Sequence, residues 1–293
     1  MNKKKILLLI SVIVIALALT GCTVPHDASG KTILIDNSTT FKYMFDNEGF
    51  FAALLVFPLT KLLNFFANST GSVFLGIVLV TAIVNIGVVL VTWKQNVAQQ
   101  KMQELQPEMA KIQKKYEGRT DQDSRLRQGQ EMQQLYNKHG VNPLASMATM
   151  FIQMPILLSI YHAVMRSYAV HQGKFLNMDL EISPLAGFKT GNYGYLVLLV
   201  ILLLAQLASM KIPTFLSELK AKKEAEKHYR KYEKVPNKAQ NIMYGFTVMI
   251  LFMALSMPTA MTIYWIVSST ILALKTYIIH VIMERKANEE ISG

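Results

Sequence analysis

The chain has 293 residues, of which 52% are hydrophobic and only 17% are charged. In soluble globular proteins, about a quarter of the residues are charged. The lower charged fraction of this chain argues against a soluble protein and favours a membrane protein. The net charge of +11 is distributed in blocks between long uncharged stretches. Each of these stretches is long enough to cross a hydrocarbon core of about 30 Å as a helix of about 20 residues.

The first 21 residues have the parts of an export signal. A lysine run at 3–5 precedes an apolar segment of 15 residues at 6–20, which is short for a membrane span and typical of a signal peptide. The small residues before Cys22 resemble a bacterial lipobox, in which the cysteine thiol carries a diacylglycerol. We therefore predict a lipoprotein signal peptide over 1–21 and lipidation at Cys22, with an uncut anchor helix as the alternative. Cys22 is the only cysteine, which excludes an intramolecular disulfide and a multi-thiolate metal site.

The segment after the signal should lie outside the cytoplasm. Residues 22–47 are polar and poorly periodic, which indicates a short extracytoplasmic tether. Residues 48–68 are rich in leucine and phenylalanine but contain Pro58 and Lys61. A proline and a lysine within so apolar a stretch favour an interfacial amphipathic helix over a spanning one, with a partly buried core helix as the alternative. The first span is predicted over 72–93.

The polar block at 94–140 is predicted to form a helical hairpin. Its first half carries apolar residues at three- and four-residue steps, as expected for one face of a helix. The run Glu117-Gly118-Arg119 supplies the break between the two helices. The apolar stripe consists of Met102, Leu105, Met109, Ile112 and Tyr116.

Four further spans follow the hairpin. The uncharged stretch at 239–274 has 36 residues and as one helix would be about 54 Å long, which is far more than a bilayer needs. It must therefore fold back, and Pro258 near its middle provides the break. The predicted segments are spans at 143–168, 193–210, 239–256 and 260–283, a basic cytoplasmic loop at 211–238 and a cytoplasmic tail at 284–293.

The distribution of Lys and Arg among the loops predicts the orientation. Residues 94–140 and 211–238 each contain nine basic residues, whereas 171–192 contains two. Basic loops belong in the cytoplasm, so we expect a plasma membrane protein with its amino terminus outside, five crossings and its carboxyl terminus inside. We attribute the positive charge mainly to this topology and expect no binding to a specific nucleic-acid sequence. A ribosome-facing role for the basic loops remains the alternative to an ordinary solvated surface.

The sequence contains no convincing catalytic constellation. It has no H-E-x-x-H motif, no phosphate-binding glycine loop and no Asp or Glu within a predicted span. His162 is the one histidine well inside a span, and such a lone histidine is more often a packing residue than a ligand or base. We therefore expect no enzyme, no catalytic residue, no metal and no cofactor.

A few neutral polar residues remain inside the predicted spans. Thr81 and Asn85 lie four residues apart and share a helix face, as do Tyr264 and Ser268. Gln153 lies midway along the second span. Polar groups in lipid must pair or meet water, so we predict that they converge on a hydrated cavity. The alternative is that they only join helices by hydrogen bonds.

The order of these elements resembles that of the YidC/Oxa-type membrane protein insertases. The resemblance covers residues 48–283 and is strongest in three places. These are the hairpin start Lys101 to Pro107 (Lys-Met-Gln-Glu-Leu-Gln-Pro), the second-span sequences Asn142-Pro143-Leu144 and Ile152-Gln153-Met154-Pro155-Ile156, and Pro258 with Tyr264-Trp265-Ile266-Val267-Ser268 in the last span. A lipobox is typical of family members from Gram-positive bacteria.

The resemblance implies a hydrophilic groove that receives the short extracytoplasmic segment of a client while the client's apolar helix slides into the bilayer. By resemblance, Thr81 and Tyr264 lie along the substrate path and Gln153 lies in the second-span motif; Trp265 and Ser268 belong to the last-span motif. The expected partners are nascent membrane proteins, with the Sec translocon and the ribosome as further candidates. No ATP, nucleotide or metal is implied.

The sequence departs from the family pattern at two positions. The first span of the family usually carries an arginine four residues after the threonine, and here that position is Asn85. Ala260 stands where glycine is common. An asparagine offers hydrogen bonds but no charge, so the leading hypothesis is a divergent insertase with altered clients. The alternatives are a non-inserting assembly scaffold and, less favoured without intramembrane ionisable groups, a small transporter.

Overall fold

The protein is described from a computed structural model that covers residues 23–227, 229 and 238–292. The predicted signal peptide and the predicted lipidation site Cys22 lie outside the described residues. The described part is almost wholly helical, which confirms the all-α prediction. The helices are α1 (Phe41–Phe51), α2 (Phe57–Thr70), α3 (Val73–Val91), α4 (Trp93–Glu104), α5 (Gln106–Lys115), α6 (Gln122–Lys138), α7 (Pro143–Met165), α8 (Tyr168–Gln172), α9 (Pro184–Lys189), α10 (Gly194–Lys227), α11 (Lys238–Ser256) and α12 (Thr259–Ser292).

Several of these helices are long and apolar enough to cross a membrane. Among the described residues, four stretches meet this criterion by length and composition: Phe41–Thr70, Val73–Val91, Gly194–Lys227 and Thr259–Arg285. Two shorter apolar stretches, Ile152–Met165 and Met243–Ser256, belong to α7 and α11. Helices α3, α7, α10, α11 and α12 therefore cover the five segments that the sequence predicts as spans.

The stretch Phe41–Thr70 is not one regular helix. Gly49 has φ 86° and ψ −176°, a backbone conformation that residues with a side chain rarely adopt, so it kinks the chain within α1. A π-helical turn at Ala52–Val56 then joins α1 to α2. The Lys61 ammonium donates to the carbonyl of Asp36 at 2.6 Å, and Phe50 and other aromatic rings are exposed. These features fit the predicted interfacial helix, whose position at the membrane surface stays a prediction.

The chain divides into two units. The first comprises Met1–Ile83, Met150–Leu198 and Ala254–Tyr264, and the second comprises Val84–Thr149, Leu199–Met253 and Trp265–Gly293. Each unit takes parts of several long helices, because a long helix contacts different neighbours along its length.

A buried ion pair organises the first unit. The Arg166 guanidinium, just after the end of α7, donates to both carboxylate oxygens of Glu48, at 2.5 and 2.7 Å. Its Nε donates to the carbonyl of Ile33 at 2.8 Å. The side chain of Arg166 is 1% exposed and that of Glu48 is 14% exposed. The pair therefore joins α1, the preceding segment and the end of α7 within the first unit.

The segment before α1 is fixed to the same place. The Ile35 amide donates to the carbonyl of Arg166, and the Asn64 side-chain amide donates to the carbonyl of Ile35 at 2.9 Å. The Asn64 oxygen accepts from the hydroxyl of Ser167 at 2.6 Å. The sequence predicts a polar tether here, and in the structure the residues around Ile35 are bound to α2 and to the end of α7.

The sequence at 171–192 is more ordered than the predicted short loop. It forms α8, a two-residue antiparallel pair of strands, β1 (Lys174–Phe175) and β2 (Met178–Asp179), and α9. The amides of Thr259 and Ala260 donate to the carbonyls of Ile182 and Leu180. This segment thus satisfies two amides at the start of α12, which would otherwise have no intrahelical acceptor.

The predicted helical hairpin lies in the second unit. Helices α4 and α5 meet near Leu105, and α6 follows a turn that contains Gly118 at φ 79°. The Asp121 carboxylate accepts from the Ser124 amide and caps α6. The hairpin has its own apolar cluster, formed by Leu105, Met109, Leu135 and Val141, with Met102, Ile112, Met132 and Tyr136 packed against it.

Two helices extend beyond the predicted boundaries. The third span was predicted to end at 210 and to be followed by a loop, but α10 continues to Lys227. Likewise, α12 continues through the predicted tail to Ser292. The physical reason is that leaving the apolar region does not end a helix: alanine, leucine, glutamate and lysine, which dominate both extensions, are strong helix formers in water.

Candidate functional site

The predicted groove residues are divided between the two units. Thr81, Gln153 and Tyr264 lie in the first unit. Thr81 is 1% exposed and Tyr264 is 2% exposed, whereas Gln153 is partly buried. Two hydroxyls are thus buried in the apolar stretches of α3 and α12, a placement that is costly unless the hydroxyls find polar partners.

In the second unit, two of the predicted groove residues are in contact. The Asn85 side-chain amide on α3 donates to the hydroxyl of Ser268 on α12 at 3.3 Å. Both side chains are partly buried, and Trp265, one turn before Ser268, is buried. The structure therefore brings Asn85 and Ser268 together, although they are 183 residues apart in the chain. The groove as a whole stays a prediction.

A neighbouring polar contact was not predicted from the sequence. The Ser269 hydroxyl on α12 donates to the side-chain oxygen of Gln206 on α10 at 2.6 Å. Gln206 is the one amide within the predicted span 193–210 that is flanked by apolar residues on both sides. This isolated amide could have indicated a polar contact with another helix, because a glutamine side chain in lipid needs a hydrogen-bond partner.

A polar layer lies further along the same helices of the second unit. The Lys275 ammonium on α12 donates to the side-chain oxygen of Asn96 on α4 at 3.0 Å. Eight residues after Asn96 on α4, Glu104 accepts from the ammonium of Lys220 on α10 at 2.6 Å. Asn96 falls in the polar hairpin, where no apolar neighbours distinguish it from the other polar residues of the sequence.

The chemistry of these side chains is that of hydrogen bonding. Within the described ranges, no group of three or more His, Cys, Asp and Glu residues is placed to hold a metal ion. His162 is buried, and its ring packs edge-on against that of Tyr161 at 5.7 Å between centroids. The polar groups of the candidate site are therefore amides, hydroxyls and ammonium groups.

Comparison with known proteins gives the context for this arrangement. Residues 65–287 match the model of the family described as 60Kd inner membrane protein. The chain is 30% identical over 284 residues to the membrane protein insertase MisCA of Bacillus subtilis (strain 168), covering 94% of this chain and 92% of that protein.

Two further relatives agree with this result. The membrane protein insertase YidC 2 of Bacillus anthracis is 32% identical over 240 residues, covering 80% of this chain and 82% of the relative. YidC 1 of Halalkalibacterium halodurans is 33% identical over 236 residues, covering 80% of each chain. The match to the family model covers most of the chain, including all five segments that the sequence predicts as spans. The chain therefore belongs to the 60Kd inner membrane protein family, the family of the YidC/Oxa-type membrane proteins.

Proposed function

We propose that this chain is a membrane protein insertase and chaperone of the bacterial plasma membrane. The names of its relatives support this function. The observation that carries the proposal is the contact between Asn85 and Ser268, which places paired polar groups between two membrane-length apolar helices.

The proposed mechanism is a lowered barrier to translocation. A polar client segment pays a large desolvation cost in hydrocarbon, and polar side chains within the bilayer shorten the apolar path that it crosses. In this proposal, the client contacts Thr81, Gln153 and Tyr264 in the first unit. In the second unit it contacts Asn85, Trp265 and Ser268. The client's own hydrophobicity drives its release into the bilayer, so no ATP, nucleotide or metal is required.

The remaining features complete the proposal. The protein is anchored by a diacylglyceryl group on Cys22, with the amino terminus outside and the carboxyl terminus in the cytoplasm. Its clients are nascent membrane proteins, which it inserts alone or with the Sec translocon. The basic hairpin at 94–140, which lies on the cytoplasmic side in this orientation, receives clients or contacts the ribosome.

Reconstitution of the purified full chain into liposomes tests this function. A single-span client with a short extracytoplasmic segment is synthesised in their presence, and insertion is scored by protection of that segment from protease. The wild-type protein should protect the segment well above empty liposomes. Client binding without protection would instead support an assembly scaffold, and solute flux would support a transporter.

Matched variants connect the activity to the proposed path. Asn85→Ala and Ser268→Ala should each reduce the protected fraction severalfold, because each removes a polar group from the proposed path and lengthens the apolar distance that the client crosses. Ile86→Ala is the control, since Ile86 follows Asn85 on α3 but is 55% exposed. Equal effects of Asn85→Ala and Ile86→Ala would remove the pair from the proposed path.

A further inference from the structure

The turn between β1 and β2 contains a residue that is unusual for its backbone conformation. Leu176 and Asn177 form this two-residue turn, with φ of 49° and 61°. Positive φ at both central positions is the geometry of a type I′ hairpin turn, which asparagine and glycine adopt readily. Asn177 therefore fits its position, whereas a leucine in the left-handed region brings its Cβ too close to the following carbonyl oxygen. Such a costly backbone conformation often marks a functional position.

The side chain of Leu176 gains little from packing within the described part of the chain. It is 76% exposed, whereas Met178, which follows the turn, is buried. The turn itself is held in place, because the Asn192 side-chain amide donates to the Asn177 carbonyl at 3.0 Å. The exposed leucine therefore lies at the tip of a fixed hairpin. Since internal packing does not offset the strained turn, we infer that its partner lies outside the chain.

The hairpin packs against the ends of two membrane-length helices in the first unit. The ring of Phe175 stacks on that of Phe74, the second residue of α3, at 4.1 Å between centroids and 10° between planes. The Asp179 amide donates to the hydroxyl of Tyr195, the second residue of α10, at 2.7 Å. Both α3 and α10 have the length and composition to cross a membrane. The hairpin therefore lies where these two helices would leave the hydrocarbon region, next to the lipid headgroups.

Exposed aromatic side chains accompany the hairpin. Phe188 on α9 and Tyr193 just before α10 pack edge-on at 5.9 Å between ring centroids, and both are exposed. Aromatic side chains are enriched where a membrane meets water. The charged residues of the two strands are paired, since the Lys174 ammonium lies 3.2 Å from a carboxylate oxygen of Asp179. An apolar tip, exposed aromatic rings and paired charges match the interface of a bilayer, whereas a site for a charged ligand would present unpaired charge.

We propose that the hairpin tip is a membrane contact, in which Leu176 enters the lipid beside the amino-terminal ends of α3 and α10. The occupant is phospholipid, because each helix residue that holds the hairpin is followed by an exposed leucine, Leu75 on α3 and Leu196 on α10. In the proposed orientation this lipid belongs to the extracytoplasmic leaflet. The contact fixes the depth of both helix ends in the bilayer, and burial of the leucine in lipid offsets the strained turn. The inference needs the membrane location of the chain and does not depend on insertase activity.

A fluorescent probe at position 176 tests this contact. Leu176→Cys in the full chain is labelled with a thiol-reactive NBD group and reconstituted into liposomes of phosphatidylcholine and phosphatidylglycerol. Ala28→Cys, in an exposed turn of the segment before α1, is the matched control, and the wild-type chain labelled in parallel reports any signal from Cys22. Nitroxide groups on the lipid acyl chains should quench the probe at 176 severalfold more than the probe at 28. Iodide in the water should quench the two probes in the opposite order.

A polar residue in the turn separates lipid contact from folding. Leu176→Asn places at the tip a residue that suits the left-handed backbone, so its unfolding midpoint in detergent should not fall below that of the wild type. In liposomes, trypsin should cleave after Lys174 severalfold faster in Leu176→Asn than in the wild type, while cleavage after the exposed Lys31 stays unchanged.

Three outcomes would overturn the inference. The first is equal quenching of the probes at 176 and 28 by the lipid nitroxides, and the second is equal cleavage after Lys174 in Leu176→Asn and the wild type. The third is protection of the probe at 176 from iodide only at a high ratio of protein to lipid, because the tip would then contact a second copy of the chain.

Discussion

The ion pair between Arg166 and Glu48 allows a quantitative prediction about stability. Removing one partner of a buried pair leaves an uncompensated charge and costs about 3–5 kcal/mol, whereas replacing both with apolar residues is often close to neutral. The Arg166 side chain is 1% exposed and cannot reach water, so Glu48→Met should cost about 3 kcal/mol. Arg166→Met should cost less, about 2 kcal/mol, because Glu48 is 14% exposed and can be solvated.

The double variant provides the decisive measurement. We expect the double variant Glu48→Met with Arg166→Met to cost about 3 kcal/mol, which is about 2 kcal/mol less than the sum of the two single costs, since residues in direct contact are coupled by about 0.5–3 kcal/mol. The double variant is not neutral because it also loses the hydrogen bond from Arg166 to the Ile33 carbonyl. The free energy of unfolding is measured by SDS titration in mixed micelles. Lys42 and Asp46, an exposed pair on α1 with side chains 86% and 51% exposed, supply the control. Their replacement should change the free energy by less than about 0.5 kcal/mol.

Two outcomes would refute this reasoning about the pair. If the costs of the two single variants were simply additive, the guanidinium and the carboxylate would not stabilise each other. If Glu48→Met cost no more than the control, the pair would not be screened from water in the membrane-embedded protein.

Three other predictions concern separate parts of the protein. Gly76→Leu should destabilise the protein by about 1–3 kcal/mol in the same titration, because a Cβ at this position would lie 3.0 Å from the backbone of α2. Gly87→Leu is the control and should not destabilise the protein, because a Cβ at Gly87 meets open space. A hydrogen bond from Lys115 holds the pKa of Glu131 below its usual range, so this contact stabilises the hairpin tip at neutral pH and is lost as the pH falls below about 4. Hydrogen exchange at the tip should therefore increase in acid, after correction for intrinsic rates, and Glu131→Gln should remove that pH dependence. Asn85→Arg should raise insertion of acidic clients severalfold, and an unchanged client panel would show that charge at this position has no role.

The sequence by itself determined the helical class and the approximate positions of the long apolar helices α3, α7, α10, α11 and α12. These follow from local properties: the length of each uncharged stretch, the break at Pro258 and the three- and four-residue spacing of the hairpin. The helix ends predicted from these local properties were wrong for α10 and α12. Both helices continue past the apolar region, because the charged residues that follow favour helix equally well.

The tertiary structure alone decided which polar side chains meet. Asn85 and Ser268 were predicted to face a common space, but their contact was not specified, and the pairs of Lys275 with Asn96 and of Arg166 with Glu48 were not predicted at all. These pairs join residues 179 and 118 positions apart. The physical reason is that such contacts depend on how each helix is rotated and packed against its neighbours. Apolar side chains of a membrane helix can face either lipid or protein. The sequence pattern therefore does not indicate how the helix is rotated about its axis.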